Sequence, residues 1–285
     1  MRAKSAIVVI WLVPILLICS CGNFSTPAGL TPLRRAHAHN DYEHDRPLYD
    51  ALDHGFTSVE ADIHLVDGQL YVAHDSDKIT PNRTLRSLYL EPLSRRIAQN
   101  AVLGTPDGGR VYPNGPQFTL FIDIKTEAVT TYKVLSKMLA EYESIFTTFD
   151  SNGRTDKAVV AIVSGNRPRG LMESEAIRYA GYDGRLEDLE SDAPATLIPI
   201  ISDNWSKHFS FNGTGSMSAK ERQKLKKIVE TAHKKGQRVR FWATPDKPSQ
   251  ARQTLWRELL SNDVDLINTD DLAGLQQFLL QHTPK

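Results

Sequence analysis

Strand-like and helix-like segments alternate along most of this chain, and this alternation limits the folds that it can adopt. Short apolar runs, such as residues 118–125 and 158–165, are each followed by a segment with helical periodicity. The clearest helix lies between Ser218, a favourable N-cap residue, and Gly236, a favourable stop. Such alternation predicts a parallel sheet with helices packed outside it.

The number of these units and the chain length favour one architecture. Roughly eight β/α units can be traced, of which the fifth is weak, and the chain has 285 residues. We therefore predict an α/β fold, a (β/α)8 TIM barrel, with a doubly wound open sheet as the alternative. No glycine-rich phosphate loop follows a strand, which disfavours the open sheet. Residues 76–116 are less regular, and residues 104–116 within them are predicted to form a loop.

The N-terminal residues have the pattern of an export signal. Basic residues precede an apolar run, and the sequence around Cys21 resembles a bacterial lipobox. We predict a lipoprotein signal peptide over residues 1–20, lipid on the Cys21 thiol, a tether over residues 21–33 and a single domain over residues 34–285. No aspartate follows the cysteine, so the predicted location is the bacterial cell envelope, at the outer membrane. An uncleaved anchor and ordinary secretion are the alternatives.

The overall composition excludes several functions. Acidic and basic residues are equal in number, 34 each, which argues against a nucleic-acid-binding protein. The two cysteines both lie within the first 21 residues. The predicted mature domain therefore has no internal disulfide, no thiolate metal site and no catalytic cysteine.

The segment TSVEADIHLV, residues 57–66, combines an apolar face with a charged one. Alternate residues of a strand point to the same side, so Glu60, Asp62 and His64 share one face. In a barrel the apolar face meets the helices, and the charged face points to the barrel axis. Buried carboxylates without partners are costly, and a bound cation is a natural partner for them. The alternative is an antiparallel strand with one face in water.

Other residues capable of chemistry lie at predicted strand ends. Among the nine histidines, His37, His39 and His74 lie where barrel active sites are found. Asp123 and Lys125 alternate at the end of another apolar strand, as a salt bridge or as part of a phosphate site. Trp242 closes a later strand, where it would serve either the core or a pocket wall.

These motifs, in order, resemble a known superfamily. The series HAHN, VEADIHLVDGQLYVAHD, FIDIK, VRFWAT and VDLINTD spans about residues 34–275. It resembles the phosphatidylinositol-phospholipase-C-like phosphodiesterases, which include glycerophosphodiester phosphodiesterases and spider sphingomyelinase D. The nearest resemblance is to the altered-inheritance-of-mitochondria-protein-6-like family. The spacing of the E-x-D, H-D and D-x-K elements makes this resemblance fairly specific.

The resemblance implies a (β/α)8 barrel that cleaves a phosphodiester with the help of a metal ion. It implies one Mg²⁺ or Ca²⁺ ion, which suits three carboxylates. The substrate would be a small-molecule or lipid phosphodiester, and we expect a monomer. The implied roles are metal ligation by Glu60, Asp62 and Asp123, acid–base catalysis by His37 and His74, phosphate binding by Lys125, orientation of His37 by Asn40, and substrate binding by Asn40, His39 and Trp242.

The sequence departs from the glycerophosphodiesterase pattern near its start. Those enzymes begin with HRG, but here Ala38 replaces the arginine. Glycerophosphodiester specificity therefore stays open, as does the choice between His37 and His39 as the catalytic histidine. Water or a neighbouring substrate hydroxyl could be the nucleophile, the latter giving a cyclic phosphate. The alternatives are an amidohydrolase-type zinc metallohydrolase using the His37–Ala38–His39 pair and a non-catalytic ligand-binding lipoprotein.

Overall fold

Eight parallel strands close into a barrel in the computed structural model, which describes residues 30–102 and 109–282. Strands are numbered in chain order. The barrel strands are β1 (Leu33–Ala38), β2 (Phe56–Val66), β4 (Phe118–Ile124), β7 (Val159–Gly165), β9 (Ala180–Gly184), β10 (Ile200–Asn204), β11 (Arg238–Trp242) and β12 (Leu266–Thr269). Each barrel strand pairs in parallel with its neighbours, and β1 pairs with both β2 and β12, which closes the ring. The predicted (β/α)8 TIM barrel is confirmed.

Helices cover the outside of the barrel, and four short strands lie apart from its ring. The helices are α1 (Tyr49–Asp53), α2 (Glu91–Val102), α3 (Ala128–Ala140), α4 (Arg169–Ser174), α5 (Trp205–His208), α6 (Ala219–Lys234), α7 (Gln250–Ser261) and α8 (Leu272–His282). The other strands are β3 (Gln69–Val72), β5 (Thr148–Asp150), β6 (Gly153–Thr155) and β8 (Ile177–Arg178). Strand β3 forms a hairpin with β2, and the other three form a small antiparallel sheet.

The caps of helix α6 agree with the sequence prediction, whereas helix α2 was not predicted. The Ser218 side chain accepts a hydrogen bond from the backbone N–H of Glu221, as an N-cap residue should. Gly236 follows the helix with a φ of 74°, which favours glycine. Helix α2 lies in the less regular part of the sequence and was not predicted, whereas the described residues 109–116 contain no helix or strand, in agreement with the predicted loop.

Strand β2 is parallel to both of its barrel neighbours, which rules out the alternative of an antiparallel strand with a wet face. Its outward residues Val59, Ala61 and Ile63 are fully buried against the helices. The inward residues Glu60 and Asp62 are also buried, with 5% and 1% of their surface exposed. The charged face of this strand therefore lies inside the barrel.

The barrel interior is apolar at one end and polar at the other. A small cluster separate from the main core contains Phe121, Phe149, Val160, Ile162, Ile200 and Leu266. Phe121 lies two residues before Asp123, and Ile162 two residues before Ser164, so the polar residues follow on the same face. Polar side chains therefore collect at the C-terminal ends of the strands, where barrel enzymes hold their active sites.

Among the described residues, no helix is both long enough and apolar enough to cross a membrane. The predicted signal peptide over residues 1–20, the lipidation site Cys21 and most of the tether over residues 21–33 lie outside the described residues.

A buried carboxyl group ties the loop after β1 to the segment before α2. The side chain of Asp41 is fully buried, and its Oδ2 accepts hydrogen bonds from Leu48 N at 2.6 Å and from the Tyr89 hydroxyl at 2.8 Å. Its Oδ1 has no hydrogen-bond partner within the described part of the chain. Burial raises the pKa of Asp41 to about 7, despite the two hydrogen bonds, which lower it.

This carboxyl group predicts a pH dependence of stability. The pKa of Asp41 is higher in the folded than in the unfolded protein. Protonated Asp41 therefore contributes fully to the free energy of unfolding below about pH 4, and this contribution is lost as the pH rises to about 7. The difference of about three pKa units corresponds to a loss of about 4 kcal/mol. We expect Asp41→Asn to remove much of this loss when urea unfolding is measured at about pH 5 and about pH 8. An unchanged pH dependence in the variant would contradict the assignment.

Candidate active site

Three carboxylates meet at the C-terminal half of the barrel interior. Glu60 and Asp62 come from β2, and Asp123 lies directly beside Asp62 in the register of β2 with β4. One carboxylate oxygen from each lies within 4.8 Å of the others. Parallel pairing thus brings together residues that are about 60 positions apart in the chain.

Lys125 lies between two of these carboxylates. Its Nζ is 2.9 Å from Asp62 Oδ2 and 3.0 Å from Asp123 Oδ1. The Tyr42 hydroxyl also donates to Asp62 Oδ2, at 2.6 Å. The second oxygen of Asp62, Oδ1, is buried and has no hydrogen-bond partner among the described residues. A buried carboxylate oxygen without a donor suits a bound cation.

The surroundings of the carboxylates give them different pKa values. Burial, together with the charge of Glu60, raises the pKa of Asp62 to about 6. Burial also raises the pKa of Asp123 above its usual value, although the charge of Lys125 opposes this. Burial alone would raise the pKa of Glu60, but the charge of Arg240 opposes this effect most strongly, and the pKa of Glu60 is held well below its usual value. Glu60 is therefore ionised. Additional positive charge near Asp62 and Asp123 would favour their ionised forms as well.

Arg240 is a part of the site that the sequence analysis missed. Its Nη1 lies 2.7 Å from Glu60 Oε2 and 2.6 Å from His37 Nε2, and the side chain is buried. Arg240 lies two residues before Trp242 on β11 and so shares its face. That spacing, the same one that relates Glu60 to Asp62, was the available signal.

His37 lies beneath the site rather than at its opening. It is fully buried, and its Nδ1 is 2.7 Å from the Ser58 hydroxyl. Burial, followed by the Arg240 charge, lowers the pKa of His37 to about 3. Its Nε2 accepts from Arg240, so the neutral ring has no free nitrogen for a substrate. This position does not favour the predicted acid–base role of His37.

His39 has the position that was expected of His37. Its side chain is 30% exposed, and its Nδ1 is 2.8 Å from Asp270 Oδ1. Its Nε2 forms no hydrogen bond within the described part of the chain. Burial lowers the pKa of His39, but the Asp270 hydrogen bond and the Glu60 charge outweigh it, so the pKa is raised. An imidazole held by a carboxylate, with its other nitrogen free, is arranged for proton transfer.

Asn40 contacts His39 and not His37, so its predicted orienting role is corrected. Its Nδ2 is 3.0 Å from His39 Nδ1 and 3.4 Å from Asp270 Oδ1. The Tyr42 hydroxyl is within 3.0 Å of the Asn40 Oδ1. Asn40 adopts a left-handed conformation, with a φ of 47°, which asparagine tolerates better than most residues. The amide therefore links the His39 side of the site to Tyr42 and Asp62.

His74 and Trp242 lie at the rim without contacting the carboxylates. His74 has 52% of its side chain exposed, and its Nδ1 is 3.1 Å from Asp75 Oδ1. The buried His64 holds the backbone here, because its Nε2 is 3.1 Å from the Ala73 carbonyl and 3.3 Å from the His74 carbonyl. Trp242, at the end of β11, is half-buried.

The geometry does not favour the zinc alternative. Among the described residues, the cluster able to hold a metal ion consists of Glu60, Asp62 and Asp123, with no histidine. His37 and His39 face Arg240 and Asp270 instead. Three oxygen ligands suit a hard cation rather than zinc.

The fold is a (β/α)8 barrel with three carboxylates clustered towards the C-terminal ends of its strands. A crystal structure of a glycerophosphoryl diester phosphodiesterase from Parabacteroides distasonis superimposes with a TM-score of 0.51. The match covers 89% of this chain and 88% of that one. The sequences are 13% identical, so the match concerns the fold alone.

The chain belongs to the AIM6-like phosphodiesterase domain family, whose model matches residues 26–183. It is 29% identical over 272 residues to the altered inheritance of mitochondria protein 6 homolog of Arthroderma benhamiae, covering 88% of this chain and 85% of the relative. It is also 29% identical to altered inheritance of mitochondria protein 6 from Eremothecium gossypii, covering 86% of this chain and 69% of that relative. A Saccharomyces cerevisiae relative is 28% identical, with coverage of 83% and 68%. These matches confirm the resemblance stated from the motifs.

The same relatives overturn the predicted location. They are proteins of fungi and yeasts. The lipoprotein signal, the membrane attachment and the bacterial outer-membrane location predicted from the N-terminal residues are therefore not supported, and we withdraw them.

Proposed function

We propose that this protein is a metal-dependent phosphoric diester hydrolase that acts on a small-molecule or lipid-headgroup phosphodiester. The observation that carries the proposal is the cluster of Glu60, Asp62 and Asp123 with Lys125 among them. A phosphodiester carries one negative charge, and its cleavage requires that growing charge on the phosphate oxygens be stabilised. The three carboxylates would repel such a substrate, and they outnumber the two basic residues beside them. The site therefore needs a further source of positive charge.

The residues fit a single hard divalent cation, Mg²⁺ or Ca²⁺. The set consists of three carboxylates, and the buried Asp62 Oδ1 lacks a donor within the described part of the chain. Glu60, Asp62 and Asp123 would hold the ion, which would supply Lewis-acid stabilisation of the phosphate oxygens.

Lys125 and His39 have complementary roles in this proposal. The Lys125 ammonium group binds a phosphate oxygen as a point charge. His39, held by Asp270, takes a proton on Nε2 from the attacking water or substrate hydroxyl as the new P–O bond forms. The bond to the leaving alcohol breaks, and that oxygen receives a proton from His74, which is exposed at the rim. Trp242 and Asn40 border the space that the substrate occupies.

Removal of the metal is expected to abolish turnover. We expect the full chain to hydrolyse bis(p-nitrophenyl) phosphate with Mg²⁺ or Ca²⁺, and to lose this activity in EDTA. Asp62→Asn should lower turnover by about 100-fold or more. The substitution removes a charged metal ligand, and without the metal ion the charge on the phosphate oxygens is not stabilised. Released p-nitrophenolate gives the rate, and phosphorus NMR distinguishes a cyclic product from a hydrolysed one.

A matched variant separates this effect from a change in charge. Asp67→Asn removes one carboxylate from the exposed tip of the β2–β3 hairpin, where a φ of 48° suits asparagine. It should leave both turnover and thermal stability unchanged. Normal turnover in Asp62→Asn, or full activity in EDTA, would contradict the proposal. Restoration by Zn²⁺ alone would favour the zinc alternative.

A further inference from the structure

We propose that a pocket beside Lys125 binds a second anionic group, a carboxylate or a phosphate, carried by the alcohol portion of the substrate. This inference rests on the proposed function and narrows its substrate class. The pocket has a volume of about 550 Å³ and lies where β4 and β7 end. Its lining includes Lys125, Thr126, Glu127, Gly165, Arg167 and Tyr182.

The pocket is continuous with the carboxylate cluster. Lys125 belongs to both, since its Nζ lies about 3 Å from Asp62 and Asp123 and its side chain lines the pocket. Gly165 is the second shared residue, because a Cβ atom placed on it would come within 2.2 Å of Asp123 Oδ1. A phosphodiester held by Lys125 therefore has one of its ester groups next to the pocket.

Arg167 supplies the positive charge of this pocket. Its guanidinium group lies over the Tyr182 ring, 4.7 Å from the ring centroid, which holds its plane in place. Its Nη1 donates to the Gly165 carbonyl at 3.1 Å. Its Nε is buried without a hydrogen-bond partner, and no carboxylate pairs with Arg167 within the part of the chain that the structure describes. Such an arginine is arranged to receive an anion.

The neighbouring charges leave this role to Arg167. Arg169 also lies near the Tyr182 ring, but it is bound by Glu173 at 2.8 Å and by Asp188 at 2.6 Å. Glu127 lines the pocket, yet its carboxylate accepts hydrogen bonds from the start of α3 and serves as its N-cap. An anionic group entering the pocket thus meets one unpaired guanidinium group.

Two substrates that differ by one carboxylate test this inference. Glycerophosphoserine and glycerophosphoethanolamine share the phosphodiester and the ammonium group, and only the former has the carboxylate. We expect glycerophosphoserine to bind at least about tenfold more tightly by calorimetry to the full chain, and to inhibit bis(p-nitrophenyl) phosphate hydrolysis at correspondingly lower concentration. Arg167→Gln should bring the two ligands to equal affinity while hydrolysis of bis(p-nitrophenyl) phosphate stays unchanged.

The control is Lys133→Gln, which removes one positive charge from the exposed face of α3 without altering the pocket lining. It should keep the preference for glycerophosphoserine. Equal binding of the two ligands by the unaltered protein, binding of neither, or a preference that survives Arg167→Gln would overturn the inference. Failure of the proposed function looks different: no metal-dependent hydrolysis of any diester, with the Arg167-dependent preference in calorimetry intact.

Discussion

Replacing His39 by glutamine is expected to lower turnover of a phosphodiester by about 100-fold or more, because general acid–base catalysis contributes about 10²- to 10⁴-fold. The imidazole of His39 is oriented by the Asp270 carboxylate, and its Nε2 lies free among the described residues. Metal binding should survive, since His39 is not one of the carboxylate ligands. Steady-state kinetics and calorimetry of Mg²⁺ or Ca²⁺ binding would show the two effects separately.

The pH profile distinguishes a catalytic role from a structural one. The Asp270 hydrogen bond raises the pKa of His39, so Asp270→Asn should lower that pKa. If neutral His39 is the base, the acidic limb of kcat/KM moves to lower pH in this variant. His54→Gln serves as a control, because His54 follows α1 and bonds the Asp50 carbonyl just before β2 begins, at the opposite end of the barrel. Full activity of His39→Gln would return the role to His37.

Replacing Gly165 by alanine is expected to disable the site without unfolding the barrel. The new Cβ would lie 2.2 Å from Asp123 Oδ1 and 2.6 Å from the Ile124 carbonyl, so the carboxylate must move. We expect metal affinity to fall by about 10- to 100-fold and turnover to fall with it. Alanine at a φ of 66° also costs about 1–2 kcal/mol of stability. Calorimetric titration with metal and thermal unfolding measure these two effects.

Gly215 offers a matched control for the backbone effect. Its φ is 71°, close to that of Gly165, but a Cβ atom there would have nothing within 4 Å. Gly215→Ala should therefore show the loss of stability and no loss of metal binding. Equal metal affinity in both variants would mean that the Asp123 carboxylate tolerates the added methyl group, and that its position matters less than we infer.

The barrel and its acidic strand were predictable because they depend on local patterns. Apolar runs followed by helical periodicity predicted most of the β/α units, and the two-residue alternation on β2 predicted an inward charged face. Lys125 and Asp123 came from the same rule on β4. Strand β9 was not recognised in the sequence because its residues, AGYDG, include two glycines and an aspartate, which are uncommon in strands. Those glycines are needed: a Cβ at Gly181 would lie 2.4 Å from Pro199 Cγ.

Helix α2 was not predicted from the sequence for a different reason. Its buried side includes Arg96 and Asn100 as well as Leu93 and Ile97, which hides the helical periodicity. The polar pair is buried because both side chains donate to the backbone carbonyl of Val111. Their partner lies in a segment whose course no local pattern indicates.

The choice between the two histidines could not be made from the sequence. It depends on Arg240, which is 203 residues away from His37, and on Asp270, which is 231 residues away from His39. Barrel closure brings β1 next to β12 and places β11 one strand further, and only then does one imidazole become covered while the other stays open. Residues 37 and 39 differ little in local sequence, and distant partners decide their roles.

The acidic and basic residues of the cluster also determine its net charge. Ionised Glu60, Asp62 and Asp123, with Lys125 and Arg240, leave a single net negative charge. One divalent cation would reverse it to a single positive charge, which a phosphodiester monoanion cancels. A phosphate monoester, with nearly two negative charges at neutral pH, would leave an excess. On the proposed function, such a site would favour a diester substrate over the more highly charged monoester product.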